Sequence, residues 1–257
     1  MNQKKSTHKL EAIIVGGGTA IPVLDHSPPS LYLKFKNLSA LLDVGPGTFS
    51  KLPIYGINPL LINNIFVSHL HPDHVLDLVI YYMIRENAAK KKNSPVNVIG
   101  CKGIKNFILQ LNRIFPDISF SNPAIRTHEM ANDEYILGDI RVRTILTGHT
   151  PHSIAFRFDF NNISFVYTSD CIYSQQLVEF CAKADILVGE CSFSDSYPTS
   201  DHMNAQKIGS LAENAQVQEM FITHCYPQAL KKDLKKQISK YFSGPIHITQ
   251  DGDRINR

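Results

Sequence analysis

The stretch from Asn63 to Leu78, NNIFVSHLHPDHVLDL, constrains the fold more than any other part of this 257-residue chain. An apolar run ends in His69, His71, Asp73 and His74, and a second apolar run follows at once. His69 and His71 stand two apart in extended backbone, so both side chains leave the strand end toward one side. Asp73 and His74 follow in a turn that points back. Imidazole nitrogen suits zinc at ~2.0–2.1 Å and a carboxylate oxygen serves nearly as well, so this cluster reads as a metal site whose geometry can serve two ions. One cluster cannot complete two coordination spheres, so the fold has to carry further ligands to this strand end.

Those ligands are on offer where other apolar strands stop. His149 closes ILTGH, Asp170 closes FVYTSD and His224 closes MFITH, positions at which loops on a rigid scaffold carry function. LEAIIVGGG, SLYLKF, SALLDVG, NIFVSH and VNVIG read as strands in the first half, and IRVRTILTG, SIAFRFDF, ISFVYTSD, DILVGECS, EMFITHC and IHIT in the second. Helices are predicted over HPDHVLDLVIYYMIRENAAKKK, where Val75, Leu78, Val79 and Tyr82 share a face, and over SQQLVEFCAKA, NAQKIGSLAENA and LKKDLKKQISKYF. Each sheet has to cover an apolar face, so the natural packing is two sheets with helices outside both, an α/β sandwich. Residues 1–257 are expected to form one domain, because the chain is 43% hydrophobic and no low-complexity linker divides it.

Composition narrows the partners. A net charge of +3 is too weak to indicate nucleic-acid binding by itself and leaves an anionic substrate open. No run approaches the ~20 apolar residues of a membrane span, and the N-terminus lacks an apolar segment of signal-peptide length, so a cytoplasmic protein with no membrane partner is expected. The five cysteines lack CxxC spacing and read as buried free thiols. Lys90 to Pro95, KKKNSP, reads as an exposed helix end followed by a loop.

Taken in order, GGGTAIP, LLDVGPGT, SHLHPDH, GHTPHSIAFRF, YTSD and ITHCYP make the chain resemble the metallo-β-lactamase superfamily, in the branch of ribonuclease Z and its smaller phosphodiesterase relatives. The resemblance implies the αββα sandwich, two mixed sheets with helices on both outer faces. It implies that His69, His71 and His149 bind one zinc, that Asp73, His74 and His224 bind a second, and that Asp170 bridges both; Mn2+ or Fe would also suit these donors. It places His152 at the pocket rim rather than among the ligands. Asp43, in DVGPGT, reads as part of a turn supporting the site.

Two such metals, ~3.5–4 Å apart, bind a bridging water, lower its pKa and brace the attacked centre, so hydrolysis is the expected reaction. Asp73 is also best placed to orient that hydroxide. His202, in DHMNAQKIGSLA, resembles the histidine that related phosphodiesterases use as proton donor, and Glu190, in LVGECSF, resembles the buried acid that orients it. The substrate is expected to be a small phosphodiester. Here the short hairpin RFDFNNISFVY stands where ribonuclease Z commonly inserts the arm that grips tRNA, so nucleic acid is expected to bind weakly. Hydrolysis of a lactone or other carboxylic ester is the alternative, with true tRNA 3′ processing as another. A non-catalytic binding protein is disfavoured, because every ligand position is filled. A homodimer is expected by analogy with relatives.

Overall fold

In the computed structural model, residues 10–35, 38–88, 95–118 and 125–257 are described. Lys90, Lys91 and Lys92, and the end of the long helix predicted there, lie outside these residues. The first sheet is built from β1 (Leu10–Gly16), β2 (Ser30–Phe35), β3 (Leu38–Leu42), β4 (Asn64–Val67), β5 (Val96–Cys101) and β6 (Ile125–Met130), joined by the late strand β14 (Arg254–Asn256). Its order is β14-β1-β2-β3-β4-β5-β6. The second contains β7 (Glu134–Leu137), β8 (Ile140–Leu146), β9 (Ile154–Phe160), β10 (Ile163–Tyr167), β11 (Ile186–Glu190), β12 (Met220–Thr223) and β13 (Ile246–Ile248), in the reverse sequence β13-β12-β11-β10-β9-β8-β7. Each sheet is mixed: β3 to β6 run parallel, as do β10 to β13, and the remaining pairings are antiparallel.

Alternation along the strands sorts the apolar side chains into three layers. Leu10, Ala12 and Ile14 of β1 face the core between the sheets, together with Phe165 and Tyr167 of β10 and Ile186 and Val188 of β11. Their sequence neighbours point outward: Ile13 and Val15 pack with Leu78, Tyr81, Ile104 and Leu111, and Val166 and Leu187 pack with Leu177, Ile208, Leu211 and Ile238. Strands buried on both faces need apolar residues at both parities, which is why these segments read as unbroken apolar runs. The covering helices are α1 (Thr48–Lys51), α2 (Pro72–Val75), α3 (Leu78–Ala88) and α4 (Ile104–Ile114) on the first sheet, and α5 (Gln175–Phe180), α6 (Ala205–Asn214), α7 (Pro227–Leu230) and α8 (Leu234–Ile238) on the second. The result is the αββα sandwich.

Two predicted helices are broken. The one expected from His71 stops after Val75 and restarts at Leu78, because the Asp77 amide donates to the Val44 carbonyl and the Asp77 carboxylate accepts from the Phe49 amide. The one expected over 230–242 divides between α7 and α8, where Asp233 caps the second helix by accepting from the Lys236 amide at 3.0 Å. The strands β6, β7 and β14 and the helix α4 carry no prediction. The parallel strands of both sheets end at the same edge of the sandwich, where their carboxyl ends open a crevice. Five polar residues converge there: Asp43 beyond β3, His69 beyond β4, Asp170 beyond β10, Glu190 ending β11 and His224 beyond β12.

Candidate metal centre

The backbone is bent hard at this edge. Asp43, Ser169 and His224 adopt left-handed φ values of 57°, 52° and 53°, a conformation that non-glycine residues occupy rarely and that clusters at functional sites. Gly45 allows the turn after Asp43 to press on the helix that carries Asp73, since a Cβ there would lie 2.2 Å from the Asp73 carbonyl oxygen. The His224 amide donates to the Gly17 carbonyl at 2.8 Å, so the Gly-rich loop after β1 supports a candidate ligand through its backbone.

The seven residues singled out as metal ligands are brought together. Ligand atoms of His69, His71, His149 and Asp170 lie within 4.8 Å of one another, and so do those of Asp73, His74 and His224. Asp170 stands between the two groups. Its Oδ2 is 3.8 Å from His69 Nε2 and 3.6 Å from His149 Nε2, while its Oδ1 is 3.5 Å from His74 Nε2 and 3.4 Å from His224 Nε2. His71 Nδ1 lies 3.3 Å from His149 Nε2, and Asp73 Oδ2 lies 3.8 Å from His224 Nε2. His152 is exposed and belongs to neither group. A third grouping joins Asp170 and His224 to His202.

A second ring of bonds aims these nitrogens. Asp43, fully buried, accepts from the Ser68 amide and hydroxyl and from Tyr167 Oη, each at 2.8 Å, and from Ser169 Oγ at 3.2 Å. It also lies 2.8 Å from His74 Nδ1. With its hydroxyl hydrogen committed to Asp43, Ser68 Oγ is left to accept from His69 Nδ1 at 2.9 Å. Both imidazoles then carry a proton on Nδ1 and turn Nε2 inward. Glu190 does the same in the other half: Ser192 Oγ donates to it and lies 3.1 Å from His224 Nδ1. His149 Nδ1 donates to the Asp201 carbonyl at 2.8 Å.

These residues fit a metal. His69 Nε2, His74 Nε2, His224 Nε2 and Asp170 Oδ1 are buried and have no hydrogen-bond partner, at a cost on the order of 1–3 kcal/mol each if left so. Burial, with the neighbouring rings, holds the pKa of His69 far below its ordinary value, keeping a lone pair available. Burial also works against charge on His74, but Asp170 and Asp43 outweigh it and hold its pKa well above the ordinary value. Asp170, which burial alone would raise, is held well below the carboxylate range by His224 and His74. A net anionic pocket of inward nitrogens is the environment that a divalent cation requires.

His202 and Glu190 adjoin this pocket. His202 Nδ1 is 3.1 Å from each Glu190 oxygen and 4.0 Å from Asp170 Oδ2. Burial opposes charge on His202, yet the Glu190 carboxylate pushes its pKa up to about 9. Sequence reasoning missed Ser68, Ser192 and the Asp201 carbonyl, and took Asp43 only as part of a turn. A hydroxyl directly before His69 at a strand end was a readable hint for Ser68. Nothing local marks Ser192 or Asp201.

The sequence model of the anti-Pycsar protein Apyc1 family matches residues 10–244. Among curated proteins, the chain is 25% identical over 277 residues to ribonuclease Z of Ignicoccus hospitalis, covering 89% of this chain and 91% of that one. Among solved structures, the metallo-β-lactamase fold protein YhfI from Bacillus subtilis superposes with a TM-score of 0.85 at 20% identity, covering 96% of this chain and 99% of that one. The short form of human tRNase Z does so with a TM-score of 0.77 at 18% identity, covering 95% and 98%. With its αββα fold, its strand-end histidines and these matches, the chain belongs to the anti-Pycsar protein Apyc1 family, within the ribonuclease Z-like branch of the metallo-β-lactamase superfamily.

Proposed function

We propose that this metal-dependent hydrolase, read as one domain over residues 1–257, is a phosphodiesterase that holds two zinc ions per chain. The observation that carries the reading is the division of Asp170, one oxygen toward His69 and His149 and the other toward His74 and His224. A carboxylate set between two groups of imidazoles suits two cations that share it. His69, His71 and His149 would hold one ion, Asp73, His74 and His224 the other, and Asp170 both. Donors that are all nitrogen or oxygen suit zinc, and also Mn2+ or Fe. Bound there, the ions would lower the pKa of a water between them and offset the negative charge growing at phosphorus.

The protein's own residues complete the reaction. Asp73, whose side chain is 16% exposed, reaches the crevice. Burial raises its pKa but the bond to His224 lowers it overall, so it stays ionised and accepts a proton from the attacking water. Glu190 occupies Nδ1 of His202 and favours the charged ring, leaving the Nε2 proton for the departing oxygen. A charged acid helps most when an alkoxide must leave, which favours phosphodiesters over lactones. The β9–β10 connection turns through Asn161 and Asn162 alone and offers nothing to grip tRNA, which favours a small diester. We also propose a cytoplasmic homodimer, the pairing by analogy with relatives, which light scattering checks.

Screening the zinc-loaded protein against phosphodiesters, phosphomonoesters, lactones and thioesters tests the assignment. Turnover is expected with diesters, and hydrolysis confined to lactones or thioesters would overturn it. Elemental analysis should find close to two transition-metal ions per chain, and Asp170→Ala should lose both together. A native content of one ion, or a fully active Asp170→Ala, would sink the two-metal reading.

A further inference from the structure

A column of aromatic rings leaves the metal centre and ends in solvent. Tyr226, two residues beyond His224, sets its ring centroid 6.0 Å from His224 and 6.1 Å from His202, nearly edge-on to both. Phe193 stacks on Tyr226 at 5.2 Å with 10° between the planes, and Tyr197 stacks on Phe193 at 4.2 Å with 14°. Phe193 therefore stacks with both tyrosines and also meets His202 at 6.1 Å. Tyr197, the outer end, is 46% exposed.

The segment carrying these rings is fastened on several sides. The Phe193 amide donates to the Met203 carbonyl at 3.3 Å and the Ala205 amide to the Phe193 carbonyl at 3.1 Å. The Asp195 amide donates to Gln237 Oε1 at 2.9 Å, Lys207 Nζ to the Thr199 carbonyl at 2.6 Å, and the Tyr197 amide to the Ser194 carbonyl at 3.0 Å. The same segment carries His202, and the Asp201 carbonyl that holds His149. An exposed ring held this firmly, in the loop that also frames the crevice, loses little entropy when a flat partner settles on it.

We propose that Tyr197 is a specificity-determining stacking platform, taking a planar aromatic group that a diester substrate carries beyond the bond being cleaved. The proposal rests on the phosphodiesterase reading for its catalytic consequence and on the ring column alone for binding. Stacking of this kind on an aromatic side chain changes affinity by roughly 5–100-fold.

The chain contains no tryptophan, so Tyr197→Trp introduces a single tryptophan at the platform, excited selectively above the tyrosine absorption band. Titrating that zinc-loaded variant with adenosine 5′-monophosphate should give saturable quenching, and ribose 5-phosphate, which keeps the phosphate and sugar but lacks the ring system, should not. A second measurement compares bis(p-nitrophenyl) phosphate with methyl p-nitrophenyl phosphate, which release the same leaving group. The preference in kcat/KM for the first should fall by roughly 5–100-fold in Tyr197→Ala and persist in Tyr197→Phe. Equal quenching by the two monophosphates, or a preference unchanged in Tyr197→Ala, would overturn the platform. If the wild type turns over neither diester, the phosphodiesterase reading falls, and the quenching comparison still decides the platform.

Discussion

Replacing Asp43 with Asn tests whether one buried carboxylate sets the direction of ligands in both groups. Asn has the same shape and tolerates the left-handed φ of 57° as well as Asp does, so the backbone is left alone and the change is one of charge and acceptor count. Among the described residues, Oδ1 accepts only from the Ser68 amide, whereas Oδ2 faces Ser68 Oγ, His74 Nδ1, Tyr167 Oη and Ser169 Oγ. The least costly orientation of the new amide therefore puts its NH2 against the Ser68 N–H, two donors facing each other. Orphaning that amide costs about 2 kcal/mol. The bonds from Ser68 Oγ, His74 and Tyr167, reduced from a charged to a neutral acceptor, lose about 1 kcal/mol each, for about 5 kcal/mol in all. That is a large share of the 5–15 kcal/mol typical of a folded protein. With His69 and His74 oriented through a neutral acceptor in place of a charged one, metal affinity should fall by about 10–100-fold, as for other groups that orient ligands. Denaturant unfolding of the metal-stripped variant and competition against a chelator measure the two effects. A variant within about 1 kcal/mol of wild type in stability that also competes equally for zinc would refute the reasoning.

Three further outcomes are expected. His202→Ala should keep its metal yet cleave a diester with a poor leaving group roughly 10²–10⁴-fold more slowly, with less loss for an activated aryl ester; equal losses on both would mean His202 binds or supports rather than donates a proton. Asp251 accepts from the Gly17 and Ser27 amides and pairs with Lys51; burial raises its pKa but these donors hold it below the ordinary value. Its stabilisation is therefore complete above the unfolded pKa of about 3.9 and lost as pH falls through the folded one, so thermal melts of wild type and Asp251→Asn should converge in acid, and a constant gap across that range would contradict the assignment. An unprocessed tRNA should bind weakly and lose affinity steeply between low and physiological salt, the described basic cluster being the lysines around α8; rapid 3′ cleavage at physiological salt would restore tRNA processing as the function.

Local sequence determined what local physics can encode. The strands near the core were legible because Ala12 to Val15 or Ile186 to Val188 must be apolar at both parities to lie between a sheet core and a helix layer. The candidate ligands were legible because imidazole and carboxylate groups ending apolar strands have few structural uses, and His69 to His74 are neighbours in the chain itself. Short edge strands such as β7 (EYIL) and β14 (RIN) were not, since partners on one side only leave them little burial to pattern. The broken helices were hidden because the bonds that break them, Asp77 to Val44 and Phe49, come from another part of the chain. Only the tertiary structure decided which oxygen of Asp170 faces which histidines, that Ser68 and Ser192 link buried carboxylates to ligand rings, and that Phe193, Tyr197 and Tyr226 form one column. Those facts depend on side-chain directions set by packing between segments far apart in sequence, and a hydroxyl or a ring carries no mark of its partner until the fold brings that partner within about 3–5 Å.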